Sequence, residues 1–158
     1  MIKLSELKIE TLRKDGSWNS KDPSVSGIET NSLRIKKGEM FFALEGIESH
    51  GAEFVGEAIK RGASVIVTDD RGHKIIKEKG KNFRKPVLVC SNLNKVLTKM
   101  CLFFFSPLPS YLMAVTGTNG KTSVVNFTRQ ILELNKISCL SIGTLGTRGS
   151  INISTNIT

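Results

Sequence analysis

Val115-Thr116-Gly117-Thr118-Asn119-Gly120-Lys121-Thr122-Ser123 is the stretch on which the reading of this chain turns. Before it, Tyr111 to Val115 is an apolar strand candidate; after it, Lys121 to Leu134 has the apolar spacing of a helix, so the glycines sit in a strand-to-helix turn. That context suits a loop that holds phosphate. Glycines let the backbone turn tightly and aim successive N–H groups at one anion, a helix start adds a favourable dipole, and a lysine there reaches the terminal phosphates. The spacing departs from the common G-x-x-x-x-G-K-[ST] pattern, because Val115 stands at its first glycine and Gly117 follows two places later. The stretch predicts ATP binding by Gly117, Thr118, Asn119, Gly120, Lys121, Thr122 and Ser123, with Lys121 as the catalytic cation and the Thr122 hydroxyl on Mg²⁺. The bland alternative is a Gly-rich turn with an incidental lysine.

Working outward, Ser138 to Ile142 is a second strand candidate, so residues 107–158 read as the opening βαβ unit of a domain. A unit of about 48 residues buries too little surface to stand alone, and its parallel strands would have unpaired edges. The natural molecule is therefore expected to be longer. Ser106-Pro107-Leu108-Pro109-Ser110 reads as a linker.

Residues 1–106 read as a small α/β domain. The first 45 residues alternate short aliphatic runs with turn signals such as Asp15-Gly16-Ser17, which predicts small strands and no long helix. Glu39 to Leu44 is a strand candidate introduced by Gly38. Glu53 to Arg61 has helical spacing, with Phe54, Val55, Ala58 and Ile59 on one face and Gly62 as its cap. Ala63 to Thr68 is β-branched and continuous, as in a buried parallel strand. A short helix over Gly72 to Lys79, a strand over Pro86 to Cys90 and a helix over Leu93 to Phe105 complete the alternation. The Phe103-Phe104-Phe105 run is expected to pack under the linker, and Trp18 to pack locally.

Composition excludes several classes. Across 158 residues, 39% hydrophobic and 23% charged content is ordinary for a globular chain, no apolar run nears the roughly 18 residues of a spanning helix, and the start lacks a signal-like apolar core. A cytoplasmic protein with no membrane partner is expected. Cys90, Cys101 and Cys139 are odd in number and flanked by apolar residues, which suits small buried hydrophobes. The net charge of +9 comes from scattered lysines without interleaved aromatics, so no nucleic-acid partner is expected. His50 and His73 read as surface or turn histidines, since no nucleophile or metal constellation accompanies them.

The string TGTNGKTS at 116–123 resembles the ATP loop of the Mur ligase superfamily, in the form carried by the branch that adds the third amino acid to the cell-wall precursor. Ser141-Ile142-Gly143-Thr144-Leu145-Gly146 is similar to the IGTLG that follows the loop helix in that branch, and Thr155-Asn156-Ile157-Thr158 to the approach to its TTPD segment. In the front domain, Thr30 to Leu44 resembles the family's TDSRxVxPGDLFVAL, and His50 to Ala63 its DGxxFIxxAxxxGA. Asn31, Leu33 and Lys37 stand where the family has aspartate, arginine and proline.

The resemblance implies a small N-terminal UDP-binding α/β domain, residues 1–106, followed by the start of a P-loop, Rossmann-like ATPase domain, residues 107–158. It implies that Thr30, Ser32, Ile47, Glu48, Ser49 and Thr158 touch a UDP-sugar. For the whole family enzyme it implies transfer of the γ-phosphoryl of MgATP to a free carboxylate of UDP-N-acetylmuramoyl-L-alanyl-D-glutamate. The amine of a third amino acid, meso-diaminopimelate or L-lysine, then displaces phosphate to form an amide. Three alternatives remain: a fragment that binds UDP-sugar or nucleotide without turnover; a folylpolyglutamate-synthase-type ligase, a branch that has glycine where this chain has Thr122; and an unrelated P-loop NTPase of nucleic acid, which would show steep salt-dependent binding to oligonucleotides.

Overall fold

The computed structural model describes residues 1–9, 13–15, 22–79 and 85–150, with only the backbone at 13–15. Trp18 and Thr155 to Thr158 lie outside the described residues. The chain divides into two compact units, Met1–Leu108 and Pro109–Thr158.

The front unit begins with β1 (Ile2–Lys3), a 3-10 turn at Leu4–Leu7, β2 (Arg13–Asp15), β3 (Ser24–Val25), β4 (Ile28–Glu29) and β5 (Met40–Phe42). A 3-10 turn at Gly51–Phe54 leads into α1 (Val55–Arg61), followed by β6 (Val65–Thr68), α2 (Asp70–Glu78), β7 (Val87–Val89) and α3 (Leu93–Phe104). Strands β4, β5, β6 and β7 lie side by side and parallel, β2 adds an antiparallel edge next to β7, and β1 pairs with β3 separately. Short strands linked through helices give the parallel α/β architecture expected from the alternation.

The sheet is buried on both faces, and strand periodicity divides the side chains between them. Met40, Phe42, Val65, Val67 and Leu88 join Leu93, Val96 and Met100 of α3, with Leu4, Leu7 and Val25, in one cluster. Phe41, Ile66 and Val87 join Val55 and Ala58 of α1, Ile76 of α2, and Ile35 and Ala63 in the other. All four residues of β6 are buried, which explains its unbroken β-branched run.

The caps show why the helices begin and end where they do. Gly62 ends α1 at φ +105°, and a Cβ there would lie 3.0 Å from the Lys37 Cα. Asp69 caps α2 by accepting the Gly72 N–H, and Asn92 caps α3 by accepting the Lys95 N–H. With Asp69 as cap, α2 starts at Asp70, ahead of the expected Gly72.

Packing changes three expectations. Phe54 is 48% exposed because it closes the 3-10 turn before α1, while Val55 and Ala58 carry the buried face. In the phenylalanine run only Phe104 packs on the core; Phe103 and Phe105 are exposed. His50 and His73 are buried, and His50 caps a turn from inside the unit.

The second unit contains α4 (Lys121–Leu134), β8 (Leu140–Gly143) and β9 (Gly146–Gly149). Its helix matches the expected range. Residues 111–115 do not form the expected strand: they are exposed, and among the described residues no strand lies beside them to supply a ladder. The segment expected as a parallel strand over 138–142 instead forms β8 of an antiparallel hairpin with β9, turning through Thr144-Leu145 onto Gly146 at φ +80°. Local pairing satisfies backbone groups that no parallel neighbour takes up. Among the described residues no helix is long and apolar enough to cross a membrane.

Candidate functional site

The residues expected to form a phosphate loop lie together at the start of α4. Gly117 and Gly120 have φ of +148° and +77°, backbone values that L side chains adopt only under strain, and a Cβ on Gly120 would meet nothing within 4 Å. The glycine at 120 therefore answers to backbone shape and leaves the space beside it open. At the start of α4 the Val124 N–H donates to the Gly120 carbonyl at 2.9 Å. By helix geometry the N–H groups of Lys121, Thr122 and Ser123 have no acceptor one turn earlier and face the loop. Lys121 folds back over them, its Nζ donating to the Gly117 carbonyl and, at 3.1 Å, to the Thr118 carbonyl. A cation held by two neutral carbonyls is poised to exchange them for a charged acceptor.

Beside the loop lies a cavity of about 190 Å³ between the first turns of α4 and the hairpin. Lys121, Thr122 and Asn126 line it from the helix, and Ser141, Thr144 and Arg148 from β8, its turn and β9. The Thr122 and Thr144 hydroxyls are 3.2 Å apart. The Asn126 Oδ1 accepts from Arg129 at 3.0 Å, and Arg129 also pairs with Glu133, which orients the amide nitrogen of Asn126 away from that pair. The lining carries two cations and no carboxylate, a composition suited to anions.

For a divalent cation the lining offers neutral side-chain oxygens, the Thr122, Thr144 and Ser141 hydroxyls among them. Among the described residues no group of three or more His, Cys, Asp or Glu could hold a metal. Mg²⁺ commonly takes one or two protein oxygens and completes its shell with phosphate and water, so the Thr122 hydroxyl fits that chemistry.

The front-domain candidates sit on two loops at the carboxyl ends of β4 and β5, adjacent parallel strands, where open α/β sheets bind ligands. The Glu29 carboxylate accepts the N–H groups of Thr30 at 2.7 Å and Asn31 at 2.9 Å, and the Asn31 side chain accepts the Leu33 N–H at 2.9 Å. Those bonds fix a tight turn with Thr30 exposed and Ser32 only 7% exposed. Thr30 offers its side chain outward, whereas Ser32 is a turn-forming residue with little surface to give. On the second loop the Gly46 N–H donates to the Ser49 carbonyl at 3.1 Å, while Ile47 and Glu48 project into solvent and Ser49 is half-buried. Thr158 lies outside the described residues.

Sequence reasoning singled out the glycine loop but not the opposite wall of the cavity beside it. Asn126 lies one turn beyond Thr122 and was accessible from helical spacing alone. Thr144 and Arg148 become neighbours of the loop only through the hairpin, a long-range pairing with no local signal.

A model of the "Mur ligase family, catalytic domain" matches residues 24–104, within the front unit. The UDP-N-acetylmuramoyl-L-alanyl-D-glutamate–2,6-diaminopimelate ligase of Rickettsia prowazekii is 32% identical over 139 residues, 87% of this chain and 27% of the relative. The enzyme of that name from Rhizobium meliloti is 38% identical over 122 residues, 77% of this chain and 24% of the relative. A solved structure of a UDP-N-acetylmuramoyl-L-alanyl-D-glutamate–2,6-diaminopimelate ligase superposes with a TM-score of 0.63 at 19% identity, covering 96% of this chain and 29% of that one; at that identity it speaks for the fold alone. The chain thus spans about a quarter of the length of the curated relatives it matches.

Proposed function

The chain belongs to the Mur ligase family, and from that premise we propose that it is the UDP-sugar-holding and ATP-anchoring front part of an ATP-dependent amide ligase acting in peptidoglycan synthesis. The proposed reaction joins a third amino acid to UDP-N-acetylmuramoyl-L-alanyl-D-glutamate. The names of its relatives favour 2,6-diaminopimelate over L-lysine as that amino acid.

The single observation that carries the reading is Lys121, folded over a glycine loop at a helix start, beside an anion-suited cavity. In the proposed chemistry a substrate carboxylate attacks the γ-phosphorus of ATP, ADP leaves, and an amine attacks the resulting acyl phosphate to give an amide and phosphate. No protein nucleophile is required. This chain's share is positioning and charge neutralisation: the loop amides and Lys121 hold the phosphates, and Thr122 presents its hydroxyl from the first turn of α4. Magnesium, when bound, supplies further neutralisation of phosphate charge.

A second reading, binding without turnover, draws support from the cavity lining, which contains no carboxylate to act as a base or a further metal ligand. The two readings share the loop and differ in product. Titration with MgATP tests what they share. Binding that disappears in Lys121→Ala supports the loop assignment; equal binding by Lys121→Ala contradicts it. Mass spectrometry for the tripeptide product, after incubation with all three substrates, then separates turnover from binding.

A further inference from the structure

His50 is buried, 3% exposed, at a point where the 45–50 loop meets the next βα connection, and neither the phosphate loop nor the proposed UDP contacts use it. Its Nδ1 accepts the Ala52 N–H at 3.0 Å, so the ring hydrogen belongs on Nε2, which donates to the Asp69 Oδ1 at 3.1 Å. The same Asp69 oxygen accepts the Gly72 N–H at 2.7 Å and caps α2. One imidazole thus ties the start of the 3-10 turn after β5 to the start of the helix after β6. The backbone around it has no slack: a Cβ at Gly72 would lie 2.5 Å from the His50 Cε1 and 2.0 Å from the Thr68 Oγ1, and a Cβ at Gly51 would lie 2.9 Å from the Leu44 carbonyl oxygen. On the outer side, Glu45 bridges to His50 through the backbone and pairs with Arg71, so both ends of the loop are fastened to the α2 connection.

Between those fastenings lie Gly46 to Ser49, closed by the Gly46 to Ser49 bond, with the apolar Ile47 side chain held out in solvent. Keeping an isoleucine fully exposed on a loop fixed at both ends has a binding rationale, since ligand contact recovers the apolar area without an ordering cost. We propose that His50 is a positioning residue that, through Asp69, preorganises the 46–49 loop for a uridine nucleotide-sugar. The proposal rests on the UDP-sugar reading given above. His50 touches no ligand; it sets the geometry from which Ile47, Glu48 and Ser49 do.

The test compares the full chain with His50→Ala, His50→Gln and His50→Asn by calorimetric titration with UDP-N-acetylmuramoyl-L-alanyl-D-glutamate, well below each variant's unfolding temperature, alongside amide hydrogen exchange. Gln can reach Asp69 as Nε2 does, whereas Asn can replace only the Nδ1 acceptor. The expected result is binding about tenfold weaker in His50→Ala and His50→Asn and within about threefold of wild type in His50→Gln, on the scale of one hydrogen bond to a charged group. Faster exchange confined to residues 46–52 should accompany the weak binders. Unchanged affinity in His50→Ala, or equal losses in all three variants, overturns the positioning role. If the wild-type chain does not bind the UDP-sugar at all, the underlying reading falls and the ligand half of this proposal with it, while the exchange data report separately on whether His50 fastens the loop.

Discussion

Lys121 presents an exposed ammonium whose partners are carbonyls of its own loop, so its removal should have little effect on folding, and under the proposed function it should cost nucleotide binding. Lys121→Ala is expected to weaken MgATP binding by about tenfold to a hundredfold, the scale of charge-assisted bonds to phosphate, with an unchanged unfolding midpoint. Cys90 is the opposite case. It is fully buried, and desolvation pushes its thiol from 9.0 up to about 11. Between those values the folded state keeps a proton that the unfolded chain has lost, so this residue's effect on stability is absent below pH 9 and turns unfavourable as pH rises above it. At pH 8 in the native protein, alkylation followed by mass spectrometry should label the half-exposed Cys101 and Cys139 well before Cys90. Apolar flanks led the sequence reading to expect all three cysteines buried; Cys90 is, whereas Cys101 and Cys139 have less cover and are half-exposed. The burial of His50 was not legible in the sequence, because its partner Asp69 and its close neighbour Gly72 arrive from a different βα connection.

At the scale of elements, the strands and helices of the front unit were legible because each carries its own punctuation. The continuous β-branched run of β6 marks a two-sided burial, and Gly62 marks the end of α1. Ile66→Ala should destabilise the front unit by about 2–5 kcal/mol, the usual cost of truncating a fully buried aliphatic in a packed sheet. Gly62→Ala should cost about 1–2 kcal/mol, since φ +105° is unfavourable for any residue with a Cβ. Both are measurable by denaturant titration. Residues 111–115 and β8 misled the reading because a strand is defined by its neighbours: apolar alternation declares the tendency to extend, while pairing decides partner and direction. The same dependence hid half of the cavity lining, since Arg148 and Thr144 reach the loop only when β8 and β9 pair.

For the whole molecule, the two units differ in what holds them together. The front unit contains both hydrophobic clusters, whereas no residue of α4 is buried and Phe127, Ile131 and Leu134 on that helix are exposed. A chain of residues 1–108 should therefore unfold cooperatively by itself. Loss of cooperative unfolding in that shorter chain would show that the front unit draws its stability from elsewhere. The central claim, a nucleotide-sugar platform joined to an ATP loop, is tested most directly by calorimetric titration of the 158-residue chain with UDP-N-acetylmuramoyl-L-alanyl-D-glutamate. Saturable one-to-one binding that survives Lys121→Ala is the expected result; a folded chain that gives no heat with this ligand, or that binds a folate in its place, would contradict the claim.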